Sequence, residues 1–240
     1  MTYIITVRTN ESILMASDSR LNYFEDKIIN GKKYQEITAL ADCIQKTFFL
    51  NKLRIGIQFL GIGYFPENGI KYPLNYFIRK ADNIQYVKNF KINANNIYNF
   101  FNNLSINGDT GQYVKGICTS FIKNKAYIAT FNTFNNEFNC KELLVGQFID
   151  SENNFEPFPR TEKEAIIEIK RRIKQKEIEK WWTIGGPIDI LRITEKKTEF
   201  ISKNSNVFNG TQDDLIYYFN NNIEKLNGKI LNPSKLVEYS

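Results

Sequence analysis

Short apolar segments alternate with polar turns along most of the chain. Residues 3–7 and 13–16 are rich in β-branched side chains and are joined by Thr9-Asn10-Glu11-Ser12, a pattern that predicts a β-hairpin. Residues 46–50 and 53–60 meet around Asn51-Lys52 and predict a second pair of strands. Further strands are predicted over residues 114–122, 126–131, 142–146, 181–194 and 198–201.

Four segments carry helix signals instead. The first covers residues 73–82. The second covers residues 95–104, where Ile97, Phe100, Phe101 and Leu104 follow the spacing of a buried stripe. Thr161 and Glu164 form a capping-box pattern that starts a third helix ending near residue 179. A fourth helix is predicted over residues 212–226, with Thr211 as its cap.

The order of these elements indicates the fold class. Runs of strands separated by groups of helices predict an α+β protein with two antiparallel sheets and helices outside them, a four-layer α/β/β/α sandwich. No linker divides the chain, so we expect a single domain over residues 1–240. Residues 21–43 are polar and weakly patterned, and we expect a loop or extended arm inserted there. Residues 204–240 are expected to form a C-terminal helical extension.

Composition limits the chemistry that the chain can perform. The 240 residues include no histidine, which excludes Ser-His-Asp and Cys-His catalysis. The three cysteines are far apart, so we expect reduced thiols rather than a disulfide framework or a zinc site. We predict no metal and no cofactor. Acid–base chemistry near neutral pH must then use carboxylates, lysine or an α-amino group, whose ordinary pKa is about 7.7–8.0.

Charge and hydropathy bear on partners and location. The net charge is +6, but the densest basic run, Lys170-Arg171-Arg172, lies among glutamates, as is typical of a solvated helix face. We therefore expect no nucleic-acid partner. Apolar runs are far shorter than a membrane span, and no leader pattern precedes the first strand. These features predict a cytoplasmic protein without a membrane partner.

The start of the chain offers a nucleophile. Thr2 follows Met1 directly, and the second predicted strand ends on Asp18-Ser19-Arg20. Removal of Met1 would give Thr2 a free α-amine, and such an amine can take the proton of the threonine hydroxyl, directly or through one water. A nearby lysine would lower the pKa of that amine, and Asp18 could hold the lysine in place. Histidine is not needed for this chemistry.

The same residues carry a family resemblance. TYIITVRTNESILMASDSR, counted from Thr2, resembles the start of mature proteasome β subunits and of the bacterial ATP-dependent threonine protease, which are N-terminal-nucleophile hydrolases. Residues 46–50 and 54–61 resemble the third and fourth strands of that family, which open with a catalytic lysine. Residues 161–173 and Ile184-Gly185-Gly186-Pro187-Ile188-Asp189-Ile190 resemble a later helix and strand. The resemblance covers roughly residues 2–203.

The resemblance implies a role for each candidate residue. Thr2 would be the nucleophile, Lys46 would tune it and Asp18 would orient Lys46. Arg20 would brace the loop, and a backbone N–H near Gln58 would stabilise the oxyanion. Lys32 and Lys33 compete with Lys46, because about a dozen extra residues separate Asp18 from the proposed lysine. A supporting aspartate and serine of the family would align with Trp181 and Ile184, which cannot replace them.

The resemblance also implies substrate and partners. We expect a threonine peptidase that acts on proteins or peptides and forms a homo-oligomer, for which a ring is one arrangement, with an ATPase partner by analogy only. Two alternatives stay open: an inactive structural or binding protein with the same fold, and an amidase of small molecules.

Overall fold

A computed structural model describes residues 2–60, 63–107, 113–152, 157–221 and 235–238. The strands are β1 (Ile4–Arg8), β2 (Ile13–Ser17), β3 (Leu21–Ile29), β4 (Lys32–Ala41), β5 (Thr47–Leu50), β6 (Ile55–Leu60), β7 (Tyr64–Glu67), β8 (Ile70–Pro73), β9 (Lys115–Ile122), β10 (Lys125–Asn132), β11 (Glu137–Leu143), β12 (Phe148–Asp150), β13 (Asp189–Ile193), β14 (Thr198–Ser202) and β15 (Lys235–Glu238). The helices are α1 (Leu74–Ala81), α2 (Phe90–Asn107), α3 (Glu162–Glu179) and α4 (Gln212–Asn220). None of them is long and apolar enough to span a membrane. The protein is α+β, as predicted.

Two five-stranded antiparallel sheets form the body of the molecule. The first has the strand order β12-β1-β2-β13-β14, and the second has the order β11-β10-β9-β6-β5. The predicted first hairpin is present, with Ile4 opposite Ser17 and Val7 opposite Leu14. This register matters for function because it brings the residues before β1 next to those after β2.

Helix α3 packs on one face of the first sheet. Side chains at alternate positions of a strand share a face, and Tyr3, Ile5 and Val7 form one cluster with Ala165, Ile169 and Ile173 of α3. The predicted cap is present, because the Thr161 side chain accepts a hydrogen bond from the Glu164 amide. The helix therefore begins where the sequence predicted.

The opposite face of the first sheet packs on the second sheet. Ile4, Met15 and Leu191 of the first sheet share a buried cluster with Ile117 and Ile128 of the second. Gly56 of β6 is part of this close approach, because a Cβ atom there would lie 2.4 Å from the Met15 sulfur. Absence of a side chain at residue 56 lets the two sheets meet.

Aromatic side chains join the second sheet to α1 and α2. Phe59 of β6 and Phe101 of α2 meet edge to face with their ring centroids 4.8 Å apart. Phe77 of α1 and Ile97 of α2 are fully buried in the same cluster. The stripe predicted for the second helix thus faces the core, although α2 begins earlier than predicted.

Residues 21–43 differ from the loop or arm that we predicted. Strands β3 and β4 form a long hairpin around Asn30-Gly31, both with positive φ angles (52° and 77°), and Asn-Gly is a favoured pair in such turns. Most side chains of β3 are exposed, so the hairpin has no buried face whose periodicity could reveal it. Strand β15 pairs with β4, which joins the C-terminal region to the hairpin.

Other predicted boundaries also change. Of the strand expected over residues 142–146, only residues 142 and 143 belong to β11, because a turn that includes Gly146, with a φ of +80°, follows before β12. Only Asp189–Ile193 of the segment 181–194 is a strand. The sequence analysis missed the β7–β8 hairpin. The predicted end of the last helix, after residue 221, lies outside the described residues.

Candidate active site

The β1–β2 hairpin brings Tyr3, the residue that follows Thr2, into contact with Asp18. The Tyr3 amide donates to Asp18 Oδ1 at 3.0 Å, and the Asp18 amide donates to the Tyr3 carbonyl at 3.3 Å. Thr2 is 7% exposed and Asp18 is fully buried. Thr2 is therefore joined to Asp18 through one residue, Tyr3, whose backbone is hydrogen-bonded to Asp18.

Lys46 forms a buried ion pair with Asp18. Its Nζ lies 2.9 Å from Asp18 Oδ2 and donates to the Arg20 carbonyl at 2.7 Å. Lys46 directly precedes β5, an edge strand of the second sheet, and Asp18 directly follows β2 of the first sheet. The ion pair therefore links the two sheets. The competing candidates, Lys32 and Lys33, are exposed at the turn of the β3–β4 hairpin. Of the three candidate lysines, Lys46 is the one that the structure pairs with Asp18.

The Asp18 carboxylate is held from several sides. Besides Tyr3 and Lys46, Oδ2 accepts from the Arg20 amide at 3.2 Å and from the Gly185 amide at 3.4 Å. Asp18 is thus fixed in position while it faces Lys46.

Arg20 connects the end of β2 with the segment after α3. Its guanidinium binds Asp42 through Nε at 2.6 Å and Nη2 at 2.8 Å, and this hydrogen bonding raises the pKa of Arg20. Arg20 also donates to the carbonyl oxygens of Trp181 and Ile184. Trp181 and Ile184 lack the aspartate and serine side chains that the resemblance implies, but their backbone carbonyls accept hydrogen bonds from Arg20.

Two glycines make room for this arrangement. A Cβ atom on Gly185 would lie 2.4 Å from Arg20 Cζ, and one on Gly186 would lie 2.6 Å from Asp42 Cβ. Gly186 also has a φ of +77°, which favours glycine. The Gly-Gly pair is therefore explained by the close approach of Arg20 and Asp42.

Gln58 lies in the middle of β6, where it pairs with Thr47 of β5 and Ile117 of β9. Its buried side chain accepts from the Thr6 hydroxyl at 2.8 Å and donates to the Ala16 carbonyl at 2.8 Å and to Thr47 Oγ1 at 3.0 Å. The side chain thus belongs to a polar network between the sheets. The oxyanion role of the Gln58 backbone stays a prediction, and the structure does not bring Gln58 to the pocket beside Thr2.

That pocket has a volume of about 570 Å³. Thr2 lines it together with Leu60 at the end of β6. Charged side chains of Lys115, Glu152 and Lys180 also reach it. The cavity is large enough for a side chain of a peptide substrate, and it opens beside the hydroxyl-bearing residue predicted as nucleophile.

Asp189 is a neighbour of the site to which the sequence analysis gave no role. It stands opposite Ser17 in the β13–β2 pairing, one residue from Asp18. Its Oδ1 accepts the Asn204 amide at 2.6 Å, while Oδ2 is buried without a hydrogen-bond partner among the described residues. Burial raises the pKa of Asp189 to about 6, and Lys46 acts in the opposite direction. The signal for Asp189 that the sequence offered was a carboxylate at the start of an apolar strand.

The described residues contain no group of three His, Cys, Asp or Glu side chains placed to hold a metal ion. The site offers the Thr2 hydroxyl, the buried Lys46–Asp18 pair and the backbone groups around them.

Comparison with known proteins gives a likeness of fold. No family model matches the chain, and no curated protein matches it. Among solved structures, the chain is similar to the Gly-1 mutant of Anbu from Hyphomicrobium sp. strain MC1, with a TM-score of 0.52 and 12% sequence identity. The match covers 85% of this chain and 89% of that one. At this identity the likeness shows a shared fold and nothing about activity.

The family assignment predicted from the sequence is therefore wrong. The first twenty residues resemble proteasome β subunits and the bacterial ATP-dependent threonine protease, yet no family model matches the chain, and the similar solved structure, of an Anbu protein, is only 12% identical to it. A strand beginning with Thr and a second strand ending in Asp-x-Arg are too short a motif to assign a family. The function of the protein is therefore inferred from the residues of its own site.

Proposed function

We propose that the protein is an N-terminal threonine amidohydrolase that cleaves peptides through an acyl-enzyme on Thr2. The observation that carries the proposal is the position of Thr2, in the wall of a pocket of about 570 Å³ and one residue from the hydrogen bond that joins Tyr3 to Asp18. Lys46 supplies a buried positive charge in contact with Asp18. The proposal requires that Met1 is removed.

The proposed reaction uses groups of this chain alone. Thr2 Oγ1 attacks the substrate carbonyl carbon while its proton passes to the Thr2 α-amine, directly or through one water. Collapse of the tetrahedral intermediate breaks the C–N bond, and the protonated α-amine returns the proton to the leaving amine. Water then attacks the ester on Thr2, with the α-amine again as base, and releases the acid.

Lys46 and Asp18 have supporting roles in this scheme. The Lys46 ammonium disfavours protonation of a nearby amine and stabilises negative charge on the attacking oxygen. Asp18 fixes the position of Lys46 through their 2.9 Å contact and ties it to the backbone of Tyr3. Arg20 braces the loop between them through Asp42. The proposed oxyanion donor is a backbone N–H near the end of β6, since Leu60 rather than Gln58 lines the pocket.

We also propose a wider architecture around the site. Packing of α3 on the first sheet, of the first sheet on the second and of the second on α1 and α2 supports a four-layer α/β/β/α order within one domain. Homo-oligomerisation belongs to the same proposal. Light scattering on the purified chain tests it, and a mass equal to one chain would contradict it.

Hydrolysis of fluorogenic peptides by the wild type and by Thr2→Ala tests the reaction. We expect Thr2→Ala to lose activity and Thr2→Ser to retain part of it, with circular dichroism unchanged. Thr198→Ala, in the edge strand β14, is the matched control and should leave activity unchanged. Equal activity of Thr2→Ala and wild type would contradict the proposal.

The substrate class needs a second comparison. Hydrolysis of small amides but not of peptides would favour the small-molecule amidase. A correctly folded protein with Thr2 at its N-terminus and no Thr2-dependent hydrolysis would favour the inactive binding protein.

A further inference from the structure

We propose that the pocket beside Thr2 selects substrates with an acidic side chain next to the scissile bond, and that Lys115 is the residue that recognises the carboxylate. This inference rests on the proposed function, and it names the substrate class of the same site. Glutamate, with a carboxylate on a short methylene stem, is the side chain that fits the lining best.

The position of Lys115 follows from the second sheet. Leu60 of β6 and Asn132 of β10 stand directly opposite Lys115 on the two sides of β9. Residues directly opposite each other in adjacent strands point to the same face. Leu60, Lys115 and Asn132 therefore form one row across the sheet, and all three line the pocket with Thr2. Lys115 is the middle member of this row and lines the same pocket as Thr2.

The charges around the pocket favour an anion. Glu152, the acidic residue among the described residues of the lining, already binds Lys180 through Oε1 at 3.1 Å and Lys176 through Oε2 at 2.7 Å. The pKa of Glu152 is lowered, and the hydrogen bond from Lys176 makes the largest contribution. A cationic substrate would have to displace one of these lysines. Lys115, by contrast, forms no ion pair with any residue that the structure describes, so its charge is available to a substrate.

An apolar wall stands beside this charge. Tyr113, two residues before Lys115, and Phe134, two residues after Asn132, meet edge to face with ring centroids 4.5 Å apart. Both rings are about half exposed and line the pocket. Such a surface can cover the methylene groups of a substrate side chain while Lys115 binds its terminal carboxylate.

The test compares three peptidyl-coumarin amides that differ only in the residue attached to the coumarin: Glu, Leu or Lys. We expect the wild type to show a kcat/KM for the Glu peptide at least tenfold above that for the Leu peptide, equivalent to about 1.4 kcal/mol. Lys115→Glu should abolish this preference and favour the Lys peptide. Lys141→Glu, the same change of charge in the same sheet but outside the lining, should leave the order unchanged.

The outcomes separate the two proposals. Thr2-dependent hydrolysis that favours the Leu or Lys peptide, or a Glu preference unaffected by Lys115→Glu, overturns the acidic pocket and leaves the threonine amidohydrolase standing. If no peptide is hydrolysed, the amidohydrolase fails, and fluorescence anisotropy with the same peptides in uncleaved form tests the pocket alone. Tighter binding of the Glu peptide that is lost in Lys115→Glu supports the pocket, and equal binding of all three overturns it.

Discussion

Lys46 Nζ lies 2.9 Å from Asp18 Oδ2, and both side chains are almost fully buried. The two residues are 28 positions apart, with the whole β3–β4 hairpin between them. A buried ion pair is costly to form, because both charges lose water, but breaking it by removing one partner is costlier. The stability of the fold therefore depends on this ion pair of the proposed site.

Lys46→Met tests that dependence. It leaves the Asp18 carboxylate buried without its cation, so we expect the free energy of unfolding to fall by about 3–5 kcal/mol, measured by urea denaturation. Lys32→Met, at the exposed hairpin turn, is the control and should change stability by less than about 0.5 kcal/mol. A Lys46→Met protein as stable as the control would contradict the buried pair.

Gly185→Ala tests the close approach of Arg20. The new Cβ would lie 2.4 Å from Arg20 Cζ, and we expect a loss of about 1–3 kcal/mol in the free energy of unfolding. If the clash is the cause, Gly185→Ala should cost much less in an Arg20→Ala background. Additive effects of the two substitutions in a double-mutant cycle would show that the clash is not the cause.

Asp189 should make stability depend on pH. Its folded pKa of about 6 lies above the ordinary value of about 3.9, so the native state binds more protons than the unfolded state between these values. The free energy of unfolding therefore falls as pH rises through this window. Asp189→Asn removes the titration. We expect it to gain up to about 3 kcal/mol relative to wild type between pH 4 and pH 7.

The comparison of wild type and Asp189→Asn at each pH cancels the effects of all other titrating groups. Asp213→Asn, the same chemical change in the exposed first turn of α4, provides the control for the substitution itself. A constant difference between Asp189→Asn and wild type from pH 4 to pH 7 would contradict a raised pKa.

Gln58→Leu tests the polar network between the sheets. It leaves the Thr6 hydroxyl and the Ala16 carbonyl without the partner that Gln58 supplies, at a cost of about 1–3 kcal/mol in the free energy of unfolding. Gln35→Leu, in the exposed hairpin, serves as control and should cost far less. Equal stability of the two variants would mean that the network contributes little.

Local pattern predicted much of the fold. The first hairpin and the cap of α3 follow from residues close together in sequence, and their hydrogen bonds are local. The β3–β4 hairpin carried its own signal, Asn30-Gly31, but strands without a buried face show no clear alternation of apolar and polar residues. Boundaries such as the start of β13 depend on the turn at Gly185-Gly186, which tertiary contacts determine.

The site was predictable only in part. The pairing of Asp18 with the start of β1 follows from a short hairpin, whereas the choice among Lys32, Lys33 and Lys46 could be made only from the structure. Arg20 contacts Asp42, which is 22 residues away, and two backbone carbonyls that are 161 and 164 residues away. No spacing in the sequence reports such contacts, and the same holds for Lys115 in the pocket wall.

Intact mass of the purified protein, before and after treatment with a peptidyl epoxyketone, tests the central claim most directly. This reagent forms bonds with both the hydroxyl and the free α-amine of an N-terminal threonine. We predict a protein that lacks Met1 and gains the mass of one inhibitor, with no gain in Thr2→Ala. A protein that begins at Thr2 and gains no inhibitor, or that gains it equally in Thr2→Ala, would contradict Thr2 as the nucleophile.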